Sequence, residues 1–176
     1  MNPKITTEHL QRGAIVYVRQ STFGQVMEHT ESKRRQYALA DSARSLGFVS
    51  VSVIDDDLGR SGSGLIDRPG FQKLVSAVCG GSIGSVFSIE ASRLARNGRD
   101  WHHLIDLCAL VNTLVIDDDG VYDPRLVNDR LLLGLKGTMS EYELSLLRQR
   151  GLAARDAKAK RGAVSYTHLR AHETSR

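Results

Sequence analysis

The chain has 176 residues, 41% of them hydrophobic and 25% charged, which suits one domain with a sizeable core and argues against wholesale disorder. No apolar run approaches the roughly 20 residues that span a bilayer, and the N-terminus lacks the apolar stretch of a secretory signal, so no membrane partner is expected and a cytoplasmic location is. The formal net charge of +4 says little by itself.

In chain order, residues 1–12 read as a leader. A strand follows at Ala14 to Val18, then a helix from Thr30 to Leu46 closed by Gly47. A second strand is predicted at Val51 to Ile54, and Pro69-Gly70 opens a helix running through Val78. The run Ser85 to Ile89 predicts a third strand. Arg99 to Val111 predicts a helix with Trp101, Leu104, Ile105, Cys108 and Val111 on one apolar face. Thr113 to Ile116 completes the strands. Cys79 and Cys108 have no Cys or His at metal-ligand spacing and are expected to be core thiols. Strands alternating with helices predict an α/β fold: a mostly parallel central sheet with flanking helices, whose ligand sites collect at strand ends.

After the turn signals Asp117 to Gly120 and Asp123-Pro124, a helical stretch runs from about Leu126 to Arg161. Leu132, Leu135, Met139, Tyr142 and Leu146 recur at spacings of three and four, a narrow seam rather than a broad core face. Such a helix would be about 50 Å long, so its outer part is expected to meet another subunit or DNA. Near its end Arg148, Arg150, Arg155, Lys158, Lys160 and Arg161 gather with Asp156 as the only acid among them. That stripe fits a phosphate backbone, or equally a solvated helix face. Ser165 to Arg176 follows the Gly162 break without apolar periodicity and reads as a linker appended to a natural chain that continued further. The expected division is a leader (1–12), a core (13–125), a long interface and DNA-contacting helix (126–162) and a non-native or disordered tail (163–176).

The chemistry gathers at strand ends. Residues two apart on a strand share a face, so Tyr17, Arg19 and Ser21 point one way until the strand ends. A serine hydroxyl is a weak nucleophile without help. Arg19 offers a fork of donors that matches phosphate oxygens better than a carbonyl, and no histidine stands close by in sequence. Taken alone, the pattern also fits a capping serine beside a solvated arginine. Arg68, and Arg93 and Arg96 past the third strand, add cations that would stabilise a five-coordinate phosphorus. The pair His102-His103 is expected to be structural, because adjacent helical residues point about 100° apart.

Tyr17-x-Arg19-x-Ser21, Gln25, Asp57-x-Gly59-x-Ser61-Gly62, Asp67-Arg68-Pro69-Gly70, Ser92-Arg93-Leu94-x-Arg96 and the late Glu141-Tyr142-Glu143 together resemble the catalytic domain of serine recombinases, the resolvase/invertase family. The resemblance covers about residues 13 to 161 and is closest in style to the large members. It implies a resolvase-like catalytic domain whose nucleophile, Ser21, attacks a DNA phosphodiester and holds the strand as a 5′-phosphoserine, with no cofactor and no metal. It further implies Arg19, Arg68, Arg93 and Arg96 as phosphate-binding residues, with Gln25 and Asp57 in support. Asp55 and Asp56 leave the register of Asp57 open, and Tyr17 either touches the substrate or packs as a strand residue. The implied partners are double-stranded DNA and further copies of the chain, a homodimer assembling to a synaptic tetramer through the long helix. Departures stand at Ser92, where many members carry Asp, at Ala77, where they carry Lys, and at Leu144 and Gln149. Two other readings remain: a metal-dependent nuclease or phosphotransferase using Asp55 to Asp57 and Asp117 to Asp119, and a catalytically silent DNA-binding or dimerisation fragment.

Overall fold

The computed structural model describes residues 2–18, 28–57, 68–95 and 97–160. Strands β1 (Ala14–Tyr17), β2 (Val51–Ile54), β3 (Ser85–Phe87), β4 (Leu114–Asp117) and β5 (Gly120–Tyr122) form one sheet in the order β2-β1-β3-β4-β5. The first four are parallel and β5 returns antiparallel to β4. The α/β expectation holds, and four strands lie where the Val- and Ile-rich runs place them. β5 escapes that reading because three residues behind a turn signal carry no usable alternation. Its turn is built by Asp117, whose Oδ1 accepts the backbone N–H of Asp119 and of Gly120 at 2.9 and 3.1 Å.

Alternation along the strands divides the core in two. Ile15, Tyr17, Val86 and Val115 face one layer, helices α3 (Pro69–Cys79) and α4 (Gly98–Leu110), with Leu74, Val78, Trp101, Leu104 and Cys108 buried among them. Ala14, Val16, Val18, Phe87, Leu114 and Ile116 face the other, where Ala40 and Ala43 of α2 (Glu28–Ser45) and Phe48 close the layer. Each fully buried aliphatic side chain contributes roughly 1.5–3 kcal/mol. Cys108 lies in this core, and burial pushes its thiol up to about 12. Cys79, also expected inside, is exposed: it follows buried Val78 by one residue, a turn of about 100° away from the core.

Residues 1–12 contain a helix that the polar leader did not announce, α1 (Thr7–Arg12). It is fixed by tertiary contacts. The Thr6 N–H donates to His9 Nδ1 at 3.1 Å, which leaves the proton on Nε2 to donate to Asn112 Oδ1 at 3.0 Å. Arg12 donates to the carbonyls of Val111 and Asn112, and Lys4 pairs with Asp129 at 2.7 Å. Gly84 makes room for this segment, since a Cβ there would run into the His9 backbone.

The chain divides into two compact units, Met1–Glu141 and Tyr142–Arg176. Helix α5 (Val127–Lys160) supplies residues to both. Within the first unit Leu133 is fully buried, whereas Leu132, Leu135 and Met139 of the predicted seam are exposed. In the second, Tyr142 is exposed and Leu146 half-buried.

Candidate functional site

The parallel strands end on one edge, and the polarity of the fold brings the starts of α3 and α4 to that same edge. β1 pairs with β2 on one side and β3 on the other, which makes the β1–β3 edge the topological switch point. Tyr17, the last residue of β1, points to the α3/α4 side because it shares the parity of Ile15.

Three of the predicted residues meet there. Tyr17 donates its hydroxyl proton to Asp57 Oδ2 at 2.5 Å and accepts from Arg68 Nη2 at 3.1 Å. Asp57 also accepts the N–H groups of Gly70 and Phe71, at 3.1 and 3.0 Å, so it caps α3 from the end of β2. A carboxylate at a helix N-terminus is favoured by the helix dipole, and Pro69 at the start of α3 has no N–H to satisfy. Gly70 is required by that approach: a Cβ would lie 2.9 Å from Asp57 Cγ. Burial, then the hydrogen bond to Asp57, pushes the Tyr17 hydroxyl up to about 12, so the phenol stays protonated at neutral pH.

Arg68 is the centre of the cluster. Its side chain is 10% exposed. Nη2 also reaches the Leu94 carbonyl at 3.4 Å, Nη1 stands 3.6 Å from Asp100 Oδ2, Nε stands 3.8 Å from Asp57 Oδ2, and the guanidinium lies 4.2 Å from the Phe71 ring centroid. Among the described residues Nε and Nη1 have no hydrogen-bond partner. Both atoms face carboxylates, Asp57 and Asp100, at ion-pair distance but beyond hydrogen-bonding reach.

Of the three consecutive aspartates only Asp57 enters this cluster: Asp55 accepts from Tyr37 at 2.5 Å, and Asp56 pairs with Lys73 at 2.7 Å. Arg93 stands on a short 3-10 turn, Ala91–Leu94, and its Nε donates to Glu90 at 2.8 Å. Ser92, where an aspartate was the commoner expectation, is buried and donates to the same Glu90 at 2.6 Å. The carboxylate of this turn therefore stands two residues earlier. Arg19, Ser21, Gln25 and Arg96 lie outside the described residues.

Arg150 and Arg155 are exposed on α5. The side chains of Arg148, Lys158 and Lys160, and the whole of Arg161, lie outside the described residues. His102 and His103 are exposed on α4, and the described residues contain no group of three His, Cys, Asp or Glu able to hold a metal. Sequence reasoning missed Asp100, Phe71 and the Leu94 carbonyl as neighbours of Arg68. Asp100 had a signal in Asn97, whose side chain accepts the Asp100 N–H at 2.8 Å and marks the start of α4.

Residues 14–164 match the family model described as the resolvase N-terminal domain. A curated relative from Sinorhizobium fredii, the uncharacterized protein y4bA/y4pH, is 56% identical over 163 residues, 92% of this chain and 24% of its own. The chain thus spans about a quarter of the length of that relative. Among solved structures, a resolvase family site-specific recombinase from Streptococcus pneumoniae superposes with a TM-score of 0.54 at 20% identity, over 84% of this chain and 97% of that one. The N-terminal catalytic domain of TP901-1 integrase does so with a TM-score of 0.50 at 24% identity, over 76% and 97%.

Proposed function

The chain belongs to the resolvase family of serine recombinases, and on that premise we propose that it is the catalytic domain of a site-specific DNA recombinase working through a 5′-phosphoserine on Ser21. The Ser21 hydroxyl oxygen forms a bond to phosphorus as the bond to the 3′ oxygen breaks, and that oxygen leaves with a proton. Rejoining reverses the step on an exchanged 3′-hydroxyl, so the number of phosphoester bonds is unchanged and no nucleotide triphosphate is needed. Arg19, Arg68, Arg93 and Arg96 hold the phosphate and the charge it gathers in the transition state. Gln25 supports them, and Asp57 with Tyr17 fixes Arg68.

The observation that carries this reading is Arg68 itself: a buried cation at the strand-end edge, gripped by Tyr17 and the Leu94 carbonyl, whose Nε and Nη1 make no hydrogen bond among the described residues. The metal-dependent alternative draws less support, because Asp57 and Asp117 already spend their oxygens on backbone N–H groups, Tyr17 and Lys136.

The exposed seam of α5 favours a second copy of the chain as its cover. Leu131, Leu132, Leu135 and Met139 line one side of a helix longer than the first unit uses, and a groove of about 540 Å³ runs beside them past His102, Pro124 and Val127. A repeated apolar stripe of this kind is self-complementary. Dimers assembling to a synaptic tetramer on double-stranded DNA, with Arg148, Arg150, Arg155, Lys158, Lys160 and Arg161 along the backbone, complete the proposal. Its setting is the cytoplasm, at the nucleoid; among the described residues no helix is long and apolar enough to cross a membrane.

The test is covalent trapping. Purified chain is incubated with end-labelled DNA containing candidate sites in the presence of a chelator and quenched with denaturant. Labelled protein that vanishes in Ser21→Ala is the expected result, and an adduct that depends on added metal would overturn it. Since the chain spans 24% of its relative, the silent-fragment reading is favoured if no adduct forms until the rest of the protein is restored.

A further inference from the structure

Helix α5 and the turn that carries Arg93 are separate elements, and one buried carboxylate joins them. Asp117, at the end of β4, has a fully buried side chain. Its Oδ2 accepts the backbone N–H of Ala91 at 3.1 Å, the bond that begins the 3-10 turn Ala91–Leu94. The same oxygen accepts from Lys136 Nζ of α5 at 3.0 Å, and Lys136 also reaches Asp119 at 2.5 Å and stands 5.4 Å from the Tyr122 ring centroid. Lys136 is the cation paired with Asp117 among the described residues, and a buried carboxylate stripped of its counter-charge is strongly unfavourable.

We propose that Lys136 is a positioning residue for the arginines of the site, coupling the seating of α5 to the placement of the 91–94 turn through Asp117. The path is short and continuous: Lys136, Asp117, the Ala91 N–H, then Arg93 on the turn and the Leu94 carbonyl that holds Arg68. A second contact fixes the same stretch of helix, because the Trp101 indole donates to the Leu133 carbonyl at 3.1 Å one residue from Asp100, the carboxylate facing Arg68. The charge of Lys136 also reaches Glu90, the partner of Arg93: burial works against the Glu90 carboxylate, but Ser92, Arg93 and Lys136 together hold its carboxyl below the ordinary range. Movement of α5 as it meets a second copy is then felt at the phosphate-binding turn. The inference rests on the recombinase reading for its consequence in chemistry, though not for the coupling itself.

Two measurements test it. In amide hydrogen exchange, Lys136→Met is expected to speed exchange of Ala91 and Arg93 at least tenfold while Val16, Val86 and Val115 are unchanged, with Lys136→Arg restoring protection. The milder Lys136→Gln serves if the Met variant folds poorly. Unchanged exchange at the turn, or an equal rise across the sheet, overturns the coupling. In the trapping assay the Met variant is expected to form adduct at least tenfold more slowly at the same half-saturating DNA concentration. A normal rate, or a loss confined to DNA affinity, overturns the positioning role. If the unmodified protein, restored to full length, forms no Ser21-dependent adduct, the recombinase reading fails while exchange still decides the coupling.

Discussion

Tyr17 and Asp57 close a hydrogen bond of 2.5 Å between the end of β1 and the residue that caps α3, and Arg68 leans on the same phenol. The hydroxyl is thus a donor to one charge and an acceptor from the other. Tyr17→Phe keeps the ring in the core but leaves both partners short of a bond, at an expected cost of about 1–2 kcal/mol in denaturant unfolding. The alkaline limb supplies the sign. The folded phenol ionises at about 12, above its ordinary 10.0, so its stabilisation is complete below pH 10 and is lost as pH rises through 12. The stability gap between parent and Tyr17→Phe is expected to be flat from pH 7 to 9.5 and to shrink beyond pH 10. A gap that widens with alkali would refute this arrangement.

Arg68→Lys separates charge from geometry. Lysine preserves one positive charge but not the planar fork that meets Tyr17 and the Leu94 carbonyl together and that, on the recombinase proposal, also meets the phosphate. Adduct formation is expected to fall by about 10²–10³, the scale of one preorganised donor to a reacting centre. Binding of uncleaved DNA, which the proposal assigns mainly to the basic end of α5, is expected to change less than tenfold. Equal losses in both would mean that Arg68 serves binding alone.

Two glycines of α5 make an internal comparison. A Cβ on Gly137 would overlap the indole of Trp101, which is 2% exposed and cannot swing away, whereas a Cβ on Gly134 meets nothing within 4 Å. Glycine to alanine within a helix gains about 1 kcal/mol from propensity alone. Overpacking costs about 1–3 kcal/mol, so clash wins at Gly137 and propensity wins at Gly134. Thermal unfolding is expected to show Gly137→Ala melting below the parent and Gly134→Ala above it; the reverse order would displace Trp101 from the packing described.

What the residue pattern conveyed, and what it withheld, follow the range of the interactions. Strands β1, β3 and β4 were legible because burial on both faces writes apolar residues into consecutive positions, and the edge strand β2 because Val51, Val53 and Ile54 are β-branched around an exposed Ser52. Helix α1 was not, because six mostly polar residues fold only against Asn112 and Gly84, far along the chain. In the site, Arg68, Arg93 and Asp57 stood out as motif residues, but the role of Asp57 as the cap of α3 was hidden. Helix caps are sought next to the helix, and here the carboxylate arrives from β2. The pairing of Lys136 with Asp117 was invisible for the same reason, since neither residue carries a local sign of the other.

Asp123 offers an acid-side test of the segment that leads into α5. Its carboxylate accepts three bonds from Arg125, from the backbone N–H and Nε to Oδ1 at 3.0 Å each and from Nη2 to Oδ2 at 2.8 Å. Its own N–H is spent on Asp129, which Lys4 holds in place. The Arg125 hydrogen bonds, against partial opposition from burial, keep the Asp123 carboxyl below its ordinary 3.8. A depressed folded value means that the stabilisation is present above pH 3.8 and is lost as pH falls through the lower folded value. Asp123→Asn is therefore expected to melt below the parent by a constant margin from pH 5 to 7, and the margin should close below pH 3.8. Arg125 is 47% exposed, so salt screens the pair and the margin should also narrow in concentrated salt. A margin that persists unchanged at pH 2 would show that Asp123 acts through its shape and backbone bonds rather than through its charge.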